Sequence, residues 1–208
     1  LPDSRTPRRF PQAMNQMHAL VTSAVDPLRT QLRSCSPAKL VDRCVGMRPG
    51  KLDSPAAATK FALRELARRH RALDEEVERF DEELSRLVAK RAPRLRALVG
   101  VGTDVVGALL VTAGDNPDRL RSEASFAHLC GVSPIPASSG RIHRHRLNRG
   151  GDRSANQALW RIVMVRMSWD ERTRAYAARR TSEGLSKREI IRCLKRYVAR
   201  EIYEVLVA

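Results

Sequence analysis

The chain has 208 residues, with 39 Lys+Arg against 23 Asp+Glu and a formal charge of +16. At 42% hydrophobic it can bury one sizeable core or two small ones, so wholesale disorder is excluded, and aromatics at 4% argue against a large β-sandwich or an aromatic stacking platform. No run of eighteen apolar residues is present, so no membrane-spanning helix is expected; the basic excess points to a polyanion, nucleic acid before an anionic membrane surface.

The chain begins at Leu1 without Met, and Pro2, Pro7 and Pro11 alternate with Arg5, Arg8 and Arg9. Residues 1–12 read as a linker entered in mid-protein, with a domain expected upstream. Residues 13–33 place Met14, Met17, Leu20, Val21, Val25, Leu28 and Leu32 at helical spacing, with Pro27 ending or kinking the helix. A short helix (Ala38–Cys44) and a Pro/Gly loop follow. Cys35, Cys44, Cys130 and Cys193 form no C-x-x-C pair and no zinc spacing, and read as free thiols of a cytoplasmic protein.

Residues 56–91 are the clearest periodic element. Leu63, Leu66, His70, Leu73, Val77, Phe80, Leu84 and Leu87 step by threes and fours, a heptad seam with charged flanks. Its partner is either the helix of residues 13–33 or a second copy of the chain, with a slight preference for the second copy. His70 on the seam reads either as a register device sensitive to pH or as a side chain snorkelling at the seam edge.

Pro93 breaks this helix, and the composition changes near residue 92, where a domain boundary is expected. A short helix, Val99-Gly100-Val101-Gly102 and an apolar helix then follow one another. This is the helix-hairpin-helix pattern, in which Gly100 and Gly102 let backbone approach a phosphate that the next helix's N-terminus attracts. The alternative is an ordinary tight turn between two helices. A helix over Glu123–Cys130 comes next. Residues 133–152 are rich in Pro, Gly and Arg, and they hold Ser138 and Ser139 ahead of Arg141, Arg144, Arg146 and Arg149. Helices are expected again over Ser154–Arg166 and Ser182–Ala208. Residues 141–208 contain 17 Lys+Arg against 7 Asp+Glu, so +10 of the +16 lies there. The fold class is therefore mainly α: a long coiled-coil-type helix, then a helical domain with a hairpin motif and a Ser/Arg-rich loop. The domains are residues 1–12, 13–91 and 92–208.

A serine hydroxyl attacking phosphorus needs its phosphate oxygens neutralised and its own proton removed. The arginines meet the first need. For the second, only His143, His145 and Asp152 are near in sequence, and none is compelling. No carboxylate cluster that would hold two Mg²⁺ ions is evident.

The run LVGVGTDVVGALLVTAGDNPDRLRSEASFAHLCGVSP, followed by ASSGRIHRHRLNRGGDRSANQAL, resembles the transposase domain of insertion-sequence transposases related to the pilin-gene invertase. These are DEDD-type serine recombinases that include bridge-RNA-guided enzymes. The resemblance covers residues 90–205 in detail, and the helix of residues 56–91 resembles that family's coiled-coil linker. It implies DNA strand exchange through a serine that becomes covalently joined to DNA. That serine matches Ser138, with Ser139 as the fallback. Arg141, Arg144, Arg146, Arg149 and Arg153 match the stretch that holds DNA or a guide RNA. It further implies a homo-oligomer through residues 56–91, a nucleoid-associated protein, and Mg²⁺ bound by a RuvC-like domain missing here. No cofactor is expected on this chain, which alone would be inactive. The rival reading is a nucleic-acid-binding or assembly module without chemistry.

Overall fold

A computed structural model describes residues 11–114, 120–137 and 145–207. The chain is mainly helical and divides into two compact units, one ending at Asp81 and the other starting at Glu82. The division falls inside the longest helix.

In the first unit α1 (Pro11–Ser23), α2 (Leu28–Leu32) and α3 (Pro37–Val45) pack with the start of α4 (Pro55–Arg91). Pro27 separates α1 from α2, where one kinked helix over 13–33 was the alternative. Asp26 accepts hydrogen bonds from Arg29 Nη2 (2.5 Å) and Thr30 Oγ1 (2.6 Å), which closes the corner. Met14, Met17, Val21, Leu28, Leu32, Leu40, Val41 and Cys44 bury around Leu63 and Ala67 of α4. The first turns of the seam thus find a partner within the chain. Farther along, Leu73 and Val77 are half-buried, and Phe80 and Leu87 are 65% and 53% exposed. Leu84, between those two, packs against the core of the second unit, so the stripe is exposed at Phe80 and Leu87 and covered between them.

In the second unit the end of α4 leads into α5 (Pro93–Arg96), α6 (Thr103–Ala113), α7 (Glu123–Leu129), β1 (Ile135–Pro136), β2 (His145–Arg146), α8 (Arg153–Trp169), α9 (Glu171–Ser182) and α10 (Lys187–Val207). α8 is the central helix, packed by α6, α9 and α10, and α10 also covers α7 and α5. Leu109, Phe126, Leu159, Ile162, Val163, Ile190 and Ile202 are sealed from solvent. Each such side chain contributes about 1.5–3 kcal/mol of transfer free energy. 

Polar caps set the helix boundaries. Asp152 Oδ1 accepts from Ala155 N–H (2.8 Å) and starts α8. Asp170 Oδ2 accepts from Thr173 N–H (2.8 Å) and starts α9, and hydrogen bonds from Thr173 hold its carboxyl below the usual carboxylate range. Ser186 and Glu189 bond each other's backbone N–H groups to start α10, so the last helix begins at Lys187 rather than Ser182. α9 and the two-stranded pairing are absent from the periodicity reading. α9 buries only Thr173, so it lacks an apolar stripe to betray it.

Gly100 sits at φ +78° in the turn between α5 and α6. A side chain there would meet Ile162 O at 3.3 Å and Arg166 Cγ at 3.4 Å, so the position is glycine because α8 lies against it. Arg166 Nε donates to Val99 O (2.8 Å), and its Nη1 and Nη2 reach Glu201 Oε2 (2.6 Å) and Oε1 (3.1 Å). The turn is thereby clamped between α8 and α10.

Candidate nucleic-acid interface

Two short motifs far apart in sequence meet in the second unit. After α7 the chain turns at Cys130-Gly131, with Gly131 at φ +66°. Residues 148–152 lie directly on that turn. A Cβ on Gly151 would stand 2.2 Å from Gly131 N and 2.3 Å from Gly131 Cα, a contact only glycine permits. Asp152 N–H donates to Leu129 O (2.7 Å). Asn148 Nδ2 donates to His128 O (3.1 Å), while its Oδ1 accepts from Gly150 N–H (2.9 Å). One turn into α8, Asn156 Nδ2 donates to Cys130 O (2.9 Å) and Gly131 O (3.2 Å), and its Oδ1 accepts from Lys195 Nζ (2.8 Å). Burial, and then the charge of Asp152, push the Cys130 thiol up to about 12 beneath this contact.

Beside the contact, β1 and β2 pair antiparallel, Ile135 opposite Arg146 and Pro136 opposite His145. The two ends of the intervening segment are therefore held side by side. Ser138, Ser139, Arg141 and Arg144 fall in that segment, residues 138–144, and lie outside the described residues.

α8, α10 and the loop of residues 147–151 enclose an open cavity of about 600 Å³. Arg149 lines it from the loop, Arg153 from the first turn of α8, and Arg188, Arg192 and Lys195 from successive turns of α10. No carboxylate is among its described lining residues. Burial, and then repulsion from Arg192, push the Lys195 ammonium below the ordinary lysine range. Part of the lining is apolar: Trp160, Ile191 and Leu147 contribute to it, with Trp160 44% exposed. Five cations around this apolar part suit a ligand that is anionic at its edge and flat in its body.

Among the expected site residues, Arg149 and Arg153 come together in this cavity. Arg146 is exposed on β2 and is not among its lining. Gly100 and Gly102 lie at the turn before α6; Gly102 has open space around its Cα and leaves the first turn of α6 without a side-chain cap. Asp152 is engaged as the cap of α8. Sequence reasoning passed over Trp160, Arg188, Arg192 and Lys195. The signal was available: Arg188, Arg192 and Lys195 step by four and three on one helix face, as do Arg153, Asn156 or Gln157, and Trp160 on α8.

Among the described residues, no group of three His, Cys, Asp or Glu is disposed to hold a metal ion, and no helix is long and apolar enough to cross a membrane.

Residues 92–178 match the transposase IS116/IS110/IS902 family. The matched stretch runs from α5 through α9 and contains both docked motifs and the α8 wall of the cavity, while the α10 wall lies beyond it. The chain is also similar to the insertion element IS110 uncharacterized 43.6 kDa protein of Streptomyces coelicolor, at 29% identity over 136 residues. Those residues are 65% of this chain but 32% of that relative, so the chain aligns with about a third of its length.

Proposed function

We propose that this chain is the DNA-handling part of an insertion-sequence transposase that exchanges strands through a serine nucleophile. The observation that carries the reading is the cationic cavity, whose loop and α8 wall belong to the matched stretch and whose loop continues from β2, one of the paired ends of the serine segment. In this reading Arg149 and Arg153 hold backbone phosphates, Arg141, Arg144 and Arg146 extend that contact, and Gly100 and Gly102 offer backbone to a further phosphate.

Ser138 is the nucleophile, with Ser139 the fallback. Its Oγ forms a bond to phosphorus as the bond to a deoxyribose oxygen breaks. That oxygen leaves with the electron pair and takes up a proton, while the serine proton passes to a base. Asp152 is spent on its helix cap, so His143 or His145 is the nearer choice in sequence. In this reading Mg²⁺ would be held by a RuvC-like part of a longer protein, where it would neutralise phosphate charge. The uncovered part of the α4 stripe serves assembly with a second copy, and the protein acts on the nucleoid, with or without a guide RNA.

Ser138→Ala in the full-length transposase is expected to abolish the covalent protein–DNA adduct and transposition. An adduct that persists in Ser138→Ala and in Ser139→Ala overturns the catalytic reading. A binding module without chemistry is the second reading, favoured by a cavity lined with cations and amides but no described acid or base. It predicts unaltered function in both serine variants.

A further inference from the structure

We propose that the cavity between α8 and α10 holds a single unstacked nucleotide, its base lying on Trp160 and its flanking phosphates on the surrounding cations. This rests on the reading of the cavity as a nucleic-acid interface and goes beyond it, because a duplex presents phosphates but no free base face.

Three observations converge. First, the volume of about 600 Å³ falls inside the range of about 300–1,000 Å³ typical of small-ligand sites, which suits one nucleotide. Secondly, the chemistry is divided as a nucleotide is divided. Trp160 offers a partly exposed indole, and Ile191 and Leu147 give an apolar surround for a base. Arg188, Arg192 and Lys195 line one side for phosphates. An indole laid among arginines would be a poor choice for phosphate alone, since phosphate gains nothing from an apolar floor.

Thirdly, two of the three amides in the lining are committed elsewhere. Asn156 donates to the carbonyls of Cys130 and Gly131 and accepts from Lys195; Asn148 donates to His128 O and accepts from Gly150 N–H. Gln157, one turn before Trp160 on α8, is the lining amide left for a base edge, so recognition rests mainly on stacking and charge. Lys195 is also fixed rather than free to roam: Asn156 anchors its Nζ, and Asn156 is itself anchored to the Gly131 turn. The phosphate contact is thus tied to the same contact that positions the ends of the serine segment.

The test uses the two tryptophans. In the full chain carrying Trp169→Phe, Trp160 is the sole indole, and Trp169, 76% exposed, lies outside the cavity. Its fluorescence is titrated with tetrathymidylate, with tetrauridylate, and with an abasic deoxyribose-phosphate oligomer of the same length. Either base-bearing oligomer is expected to quench Trp160 to saturation, the two arms separating a DNA from an RNA source. The abasic oligomer is expected not to quench. Read instead by the fluorescence anisotropy of a fluorescein-labelled oligomer, Trp160→Ala should weaken binding of the base-bearing oligomer about 5- to 150-fold, and Trp160→Phe should restore most of that loss. Absence of quenching by both base-bearing oligomers, or equal quenching by the abasic one, overturns the proposal, as does an affinity unchanged in Trp160→Ala. The adduct assay reads the serine chemistry and this titration does not, so failure of either leaves the other standing.

Discussion

Gly150 and Gly151 are neighbours of identical type, yet substitution by alanine should separate them sharply. At Gly151 the new methyl would stand 2.2 Å from Gly131 N and 2.3 Å from its Cα, about 1 Å inside the closest approach a Cβ makes. Both obstacles are backbone, so no rotamer change relieves the clash. The motifs must part, and parting loosens Asp152 N–H to Leu129 O together with the two bonds from Asn156 to Cys130 O and Gly131 O. At about 0.5–1.5 kcal/mol each, the three bonds give a loss of about 1.5–4.5 kcal/mol. For a chain of this size that is a fall in melting temperature of roughly 3–18 °C. At Gly150 the methyl would meet only Asn148 Oδ1, at 3.5 Å, an ordinary contact, so the change should stay within about 0.5 kcal/mol. Thermal denaturation followed by far-ultraviolet circular dichroism compares the two, and oligonucleotide affinity should fall only in Gly151→Ala because Gly151 lines the cavity. If both variants melt together with the parent, the docking of the two motifs is not what holds this loop.

Arg166→Lys keeps a charge but cannot serve Val99 O and both oxygens of Glu201 at once, so a loss of about 1–2 kcal/mol is expected in the same denaturation; a parent-like melt would show the clamp to be idle. Affinity for a single-stranded oligonucleotide should fall with salt at a log–log slope up to about −3.5 if all five cavity cations meet phosphate, and Arg153→Ala should flatten it by about 0.7. A slope that Arg153→Ala leaves unchanged removes that residue from the contact. Lys195 should lose its proton below the ordinary lysine value of 10.5, so phosphate-dependent affinity should weaken on the way up to that pH, and Lys195→Met should abolish that inflection. The sign for folding is the opposite: the unfolded chain holds more protons there, so this group's contribution to stability rises with pH through the same window. A pH-independent affinity would place Lys195 outside the site.

Regular elements were legible where a single physical signal was strong. Leu63 to Leu87 announced α4 by period alone, and Pro93 announced its end. α9 was illegible because Asp170 and Thr173, not an apolar stripe, define it. The glycines at 100 and 102 invited a phosphate reading from local pattern, but the neighbour that requires Gly100 is α8, more than sixty residues on, which no local pattern contains. The arginines around the serine segment were conspicuous as a run. The α10 cations were diluted among helix-forming residues, and only the packing of α10 on α8 gathers them into one cavity with Trp160.

The contact of Gly151 on Gly131 and the pairing of β1 with β2 fasten two stretches of chain to each other at two successive points. Sliding one stretch along the other is therefore blocked twice, by backbone at Gly131 that admits no side chain at Gly151 and by the register of Ile135 on Arg146 and Pro136 on His145.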